Sequence, residues 1–356
     1  MNKRDIIKLK SIIYSKAPTP NTYNLQPTTY SKAFTIVELL VVIVVIGILA
    51  AITIVSYTGI SSRATTTSLQ ADLTNAKKQL SLYNVDHGVF PASIDPTTKC
   101  PLDSLSVADT NYCIKPSSGN TFTYYTLGVA TSPDGFGLKA NNGTTNYTIT
   151  NNSSPVAMST LATTDSANWV VVGTQVWAKY NLNVGTRIAG ASNQTNNATL
   201  EKYCYGDTDA GCTNTDPNGI VYGGLYQWDE AMQYVTTENA QGICPAGSHI
   251  PSDNDWKILE MRLGMTQAQA YTTGTLRGTD QGTQLKSGGT SGLNIPLAGN
   301  RITSGSFGNL LSNTSLWSSS ESSTSTWYRY LYSSMATVIR YTDSKGYGYS
   351  VRCLGN

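Results

Sequence analysis

The sequence predicts an α+β protein in which a long N-terminal helix, half transmembrane and half amphipathic, carries a small antiparallel sheet and is followed by a mixed α/β domain. Three observations predict it. Phe34 to Val55 is a run of 22 residues with one charge, Glu38. Leu69, Leu73, Ala76, Leu80 and Tyr83 then recur at helical spacing. Past Asp86 the pattern turns to short strand-like runs divided by Gly, Pro and Asn.

Residues 1–33 mix Lys, Pro, Thr, Asn and Tyr without a helical or strand period, and are set apart as a leader. Residues 34–55 suffice to cross a bilayer, which needs about 20. Residues 56–88 continue the helix as an amphipathic half, stopped by His87, Gly88 and Pro91. The whole helix is predicted at roughly fifty residues, about 80 Å long.

Residues 89–150 are predicted as a small β-domain from "TFTYYTLGVA", "FGLKA" and "NYTIT". Pro133-Asp134-Gly135 and Asn141-Asn142-Gly143 are the expected hairpin turns. Residues 151–168, small and polar, read as a linker. A second domain, 169–356, opens on two short strands around Gly173-Thr174. Two helices are expected in it, at "YQWDEAMQY" and "SDNDWKILEMRL", the second capped by Ser252 with Asp255 at its third position.

Charge and cysteine usage bound the function. Residues 1–33 hold six basic side chains and one acid, so the rest carries 18 basic and 21 acidic groups. General nucleic-acid binding is therefore not expected. Six cysteines, Cys100, Cys113, Cys204, Cys212, Cys244 and Cys353, all follow the apolar run and predict disulfides in an oxidising exterior. Cys204 and Cys212 enclose the short turn "CYGDTDAGC" and most simply bridge each other; Cys100 with Cys113 would close a loop of the first domain.

Glu38 is the anomaly of the apolar run. A carboxylate at the centre of a membrane helix costs about 2.5 to 3.5 kcal/mol on insertion scales. Cleavage before Phe34 would create an α-amine four residues away on the same helical face, a partner that the uncut chain lacks. "KAFTIVELLVVIVVIGILAAI" resembles the processing signal of type IV pilins and pseudopilins. The resemblance implies cutting between Ala33 and Phe34, methylation of Phe34, and a required Glu at the fifth mature position, Glu38. Ala33 stands where Gly is usual, and Val55 where many major pilins have Pro. The partners implied are a prepilin peptidase and methylase, the membrane, and other pilin subunits through the Phe34 to Val55 helix.

"GTQVWAKYNLN", "GGLYQWDEAM", "CPAGSHIPSDNDWKIL", "IPLAGNRITSGSFG", "LWSSSES" and "YSVRCLGN" resemble, in order, the Fibrobacter succinogenes major paralogous domain, whose fold is similar to C-type lectins. Joining Cys244 to Cys353 would tie the chain's far end to the domain's middle, as lectin-like folds do. Trp317, Trp327, Tyr328, Arg329 and Tyr330, with Glu321, are the expected ligand patch, since aromatics with Arg suit protein interfaces and sugar stacking alike. No cofactor is required; a loose calcium site would use Asp207, Asp209 and Asp216.

The expected function is a pilus or pilus-like filament subunit, minor or at the tip, that displays a lectin-like domain for adhesion to a glycan or surface protein. The chain would sit in the membrane with its leader cytoplasmic, then in an extracellular filament. It is not expected to be an enzyme. The rivals are a pseudopilin of a secretion or DNA-uptake system, and a membrane-anchored extracellular enzyme related to formylglycine-generating enzymes.

Overall fold

A computed structural model describes residues 35–103, 106–274 and 276–356, and it has the α+β architecture read from the sequence. The leader and Phe34, with the processing position after Ala33, lie outside the described residues. The chain divides into two compact units, 1–59 and 60–356.

In the first unit the described residues are one end of the helix Ile36–His87. Every residue from Ile36 to Val55 is exposed, and the segment is long and apolar enough to cross a membrane. A helix that is apolar on all sides is stable only where something other than water surrounds it.

In the second unit the helix has one apolar stripe. Leu69, Leu73, Ala76, Leu80 and Tyr83 are all buried. The first four pack with Phe136, Leu138, Ala140 and Ile149 from a four-stranded antiparallel sheet. Burying a Leu side chain contributes about 1.5 to 3 kcal/mol, so this stripe fixes the helix to the sheet. The strands run Thr121–Val129, Ser132–Asn141, Asn146–Thr150 and Val156–Ala157, in sequence order. Asp72 is also buried on the helix, where it accepts hydrogen bonds from Ser117 N (2.9 Å), Ser117 Oγ (2.7 Å) and Asn120 Nδ2 (2.7 Å).

Two sequence expectations shift. Pro133-Asp134-Gly135 lies inside a strand and not in the turn, because Val129 pairs with Ser132 and leaves Ala130-Thr131 as the tip. Leu127 pairs with Gly135 and Gly128, at φ 98°, with Pro133, so Asp134 is the extra residue of a bulge, the kind of place where a strand tolerates the neighbouring proline. Asp134 is thereby free to accept from Gln267 N at 2.6 Å. The second shift concerns 151–168, which holds the strand Val156–Ala157 and the helix Leu161–Thr164. Met158, Leu161 and Ala162 pack on the C-terminal core, so these apolar side chains outweigh the polar composition around them.

The C-terminal region has a four-stranded and a six-stranded sheet. In the first, the last strand Leu354–Gly355 lies between Ser248–His249 and Gln175–Ala178, bringing the end of the chain beside the region's first hairpin. The second has the order Leu276–Arg277, Val338–Ser344, Ser325–Tyr332, Asn313–Ser322, Ala298–Arg301, Phe307–Leu310. The helix Asp253–Arg262 carries the expected capping box, with Ser252 Oγ accepting from Asp255 N. "YQWDEAMQY" forms only the single turn Trp228–Ala231. Disulfides join Cys100 to Cys113, Cys204 to Cys212 and Cys244 to Cys353.

Candidate functional site

At the helix start, Glu38 Oε2 accepts hydrogen bonds from Thr35 N (2.8 Å) and Thr35 Oγ1 (2.9 Å). Thr35 Oγ1 accepts in return from Glu38 N at 3.2 Å. This reciprocal pair satisfies donors that a helix N-terminus otherwise leaves open, and it places the carboxylate at the positive end of the helix dipole. The Phe34 amine with which the sequence pairs Glu38 falls outside the described residues; within them the carboxylate is held by Thr35.

The expected ligand patch divides between the two faces of the sheet, with Trp317, Tyr328 and Tyr330 on one and Trp327 and Arg329 on the other. Trp317 is fully buried and donates from Nε1 to Tyr226 O at 2.8 Å. Arg329 is fully buried on the opposite face of the sheet, donating to Glu260 Oε1 (2.6 Å) and Asp253 Oδ1 (2.8 Å). Trp327 is half-buried, its ring 3.7 Å from the Arg340 guanidinium. Glu321 is exposed and paired with Lys345. Strand alternation is the reason: neighbours in sequence point to opposite faces.

The face turned inward is dominated by charge. Asp253 and Glu260 sit on the Asp253–Arg262 helix; around them are Lys257, Arg277, Arg329 and Arg340. Arg277 forks onto both Glu260 oxygens at 2.9 and 2.7 Å, and Arg340 onto both Asp253 oxygens at 2.7 Å. Burial opposes ionisation of Asp253, yet the Arg340 hydrogen bond and the charges of Arg329 and Lys257 hold its carboxyl well below the usual range.

The other face of the same strands is aromatic, with Trp317 in the C-terminal core and Tyr328 packed against it. Register places Trp317, Tyr328 and Tyr341 in one row and Ser315, Tyr330 and Ile339 in the next, with Tyr332 opposite Asn313. Tyr328, Tyr330 and Tyr332 are half-buried, and Tyr341 is 51% exposed. Tyr328 and Tyr330 belong to the expected patch; Tyr332 joins them on this face because the second, fourth and sixth residues of "WYRYLY" are all Tyr.

The three carboxylates expected around calcium serve separate turns. Asp207 Oδ1 accepts from Gly190 N (2.6 Å), Asp209 pairs with Arg187 (2.7 Å), and Asp216 Oδ1 accepts from Asn218 N and Ile220 N (both 2.9 Å). No group of three or more His, Cys, Asp or Glu side chains among the described residues is placed to hold a metal ion. His249 Nδ1 lies 2.5 Å from Asn356 Oδ1 and its Nε2 lies 3.8 Å from Asp255. Burial would lower its pKa, but these two hydrogen-bonding partners raise it.

Two family models match the chain. One, described as the Fibrobacter succinogenes major domain, covers residues 170–354. The other, the prokaryotic N-terminal methylation motif, covers residues 29–54. No curated protein and no solved structure matches the chain.

Proposed function

The chain belongs to the Fibrobacter succinogenes major domain family and carries the methylation motif of a type IV pilin-like or pseudopilin subunit, and from this we propose an adhesive role. It would be a minor or tip subunit of an extracellular pilus-like filament, displaying a lectin-like C-terminal domain to a surface or host cell. The motif itself implies processing by a prepilin peptidase and assembly with other pilin subunits in a membrane-associated system.

One observation supports the display role above others. A helix exposed and apolar on all sides over Ile36–Val55 belongs to the same chain as a disulfide-closed domain, so one part suits a bilayer or helix bundle and the other suits water. Before assembly the helix would rest in the membrane, its Glu38 carboxylate held by Thr35. The lectin-like reading draws support from the last strand lying beside the first hairpin, tied by Cys244–Cys353 across 109 residues. A non-enzymatic role is favoured by the cysteines: all six are bonded, leaving no thiol for the oxidation that enzymes of similar fold perform.

A pseudopilin role is the second reading. The helix Ile36–His87 contains no proline and so lacks the residue that kinks many major pilins. Deleting the chain's gene separates the two. Loss of adhesion with filaments still visible supports the adhesive subunit. Loss of protein secretion or DNA uptake with adhesion intact supports the pseudopilin.

A further inference from the structure

We infer that the hairpin 121–141 of the four-stranded pilin-side sheet is the built-in partner of the C-terminal region, and that it fixes that region's orientation to the helix instead of leaving it to swivel on a linker.

An antiparallel sheet that covers a helix with one face commonly leaves the other to water. Here the second face is covered as well. On the strand Thr121–Val129, Phe122 and Tyr124 pack on the helix–sheet core, so alternation turns Tyr125 and Leu127 the other way. Leu127 is 2% exposed and belongs to a C-terminal core with Val172, Trp177, Trp256 and Leu259. The Arg262 guanidinium lies over the Tyr125 ring, 5.3 Å from its centre. Gly137, paired with Tyr125, lets Thr174 come close, since a Cβ at 137 would stand 2.8 Å from Thr174 Cγ2. Beside the bulge, Asp134 Oδ2 accepts from Gln267 N at 2.6 Å.

One attachment would permit rotation; a second one elsewhere does not. Met158 N donates to Asn146 O at 2.9 Å, which keeps the chain on the sheet just past the strand Val156–Ala157. The Met158 side chain, with Leu161 and Ala162, packs on the other C-terminal core, that of Trp169, Val176 and Trp228. Met158, Ser159 and Thr160 alone separate that strand from the helix Leu161–Thr164, so little slack is left for a hinge. The hairpin grips one core and the segment 151–168 grips the other.

Parts of one chain move against each other by default unless the contact between them is large and apolar. Leu127 is spent on a core that is not its own sheet's, an arrangement that rotation of the two parts would undo. Pull on the C-terminal region therefore reaches the sheet, and through it the helix stripe from Leu69 to Tyr83, by two joints and not by one flexible tether.

Distance measurement between paired spin labels tests this on the full chain in detergent micelles. The labels go on Val85→Cys, in the helix, and Val235→Cys, in the C-terminal region, both at exposed valines. One distance peak narrower than about 10 Å is expected, against the spread of about 20 Å that a flexible segment of the length of 151–168 allows. Leu127→Ala combined with Asp134→Ala should broaden the peak about twofold. Val107→Ala, at an exposed valine away from these contacts, should leave it unchanged. A broad or two-peaked distribution in the chain that keeps Leu127 and Asp134, or an unchanged width in the double variant, overturns the inference. The first of these decides the matter even where the double variant fails to fold. Coupling and adhesion are separable: a narrow peak in a chain whose deletion leaves adhesion intact supports the first and removes the second.

Discussion

Thr35 and Glu38 exchange hydrogen bonds in both directions across the first turn of the long helix. The carboxylate therefore has local donors before any neighbouring subunit arrives. Replacing Thr35 with Val removes the hydroxyl that both donates and accepts. Amides 36–39 should then exchange with solvent about five to ten times faster in micelles, as hydrogen-exchange mass spectrometry would read. Unchanged exchange would mean that the cap does not hold the helix start.

The buried ion cluster yields a second prediction. Arg329→Ala leaves Asp253 and Glu260 each short of a partner in the interior. Removing one member of a buried charge network costs about 3 to 5 kcal/mol, which urea unfolding monitored by tryptophan fluorescence would measure. A loss under 1 kcal/mol would show the cluster to be solvated.

Acid should find the same cluster. Because the folded-state pKa of Asp253 is depressed, its stabilisation is present above the unfolded value, about 3.9, and is lost as pH falls through the folded one. His249 has the reverse sign. Its raised folded pKa contributes stability that is full below about 6.5 and is lost as pH rises through the folded value. NMR titration should place the His249 imidazole above 6.5, and Asn356→Ala should move it down.

The two disulfides of the C-terminal region should differ in effect. Cys244 and Cys353 close 109 residues, Cys204 and Cys212 only 8. In the chain-entropy model, replacing the first pair with Ala costs about 4 to 5 kcal/mol and the second about 2 to 3 kcal/mol. Denaturant unfolding of the two double variants compares them directly.

These cases also mark what the sequence could tell. The buried helix stripe from Leu69 to Tyr83 was legible because helical spacing alone puts those residues on one side, and any sheet laid there must cover them. The capping box at Ser252 was legible because it is local. The parity of "WYRYLY" was not. Hydrophobicity argues that Trp327 and the tyrosines compete for the inside and that arginine stays out, but Asp253 and Glu260, more than sixty residues earlier, draw Arg329 and Arg340 inward. Once the arginines are on that face, the pleat turns Tyr328, Tyr330 and Tyr332 to the other one. The turn at Ala130-Thr131 was missed for a similar reason: Asp134 is held by the distant Gln267 amide, which a Pro-Asp-Gly turn signal cannot anticipate.

The filament assignment is tested most directly by mass spectrometry of the chain recovered from sheared surface filaments. The result predicted is an N-terminus at methylated Phe34, with six cysteines resistant to alkylation before reduction. An intact leader, or a chain absent from the filament fraction, would contradict it.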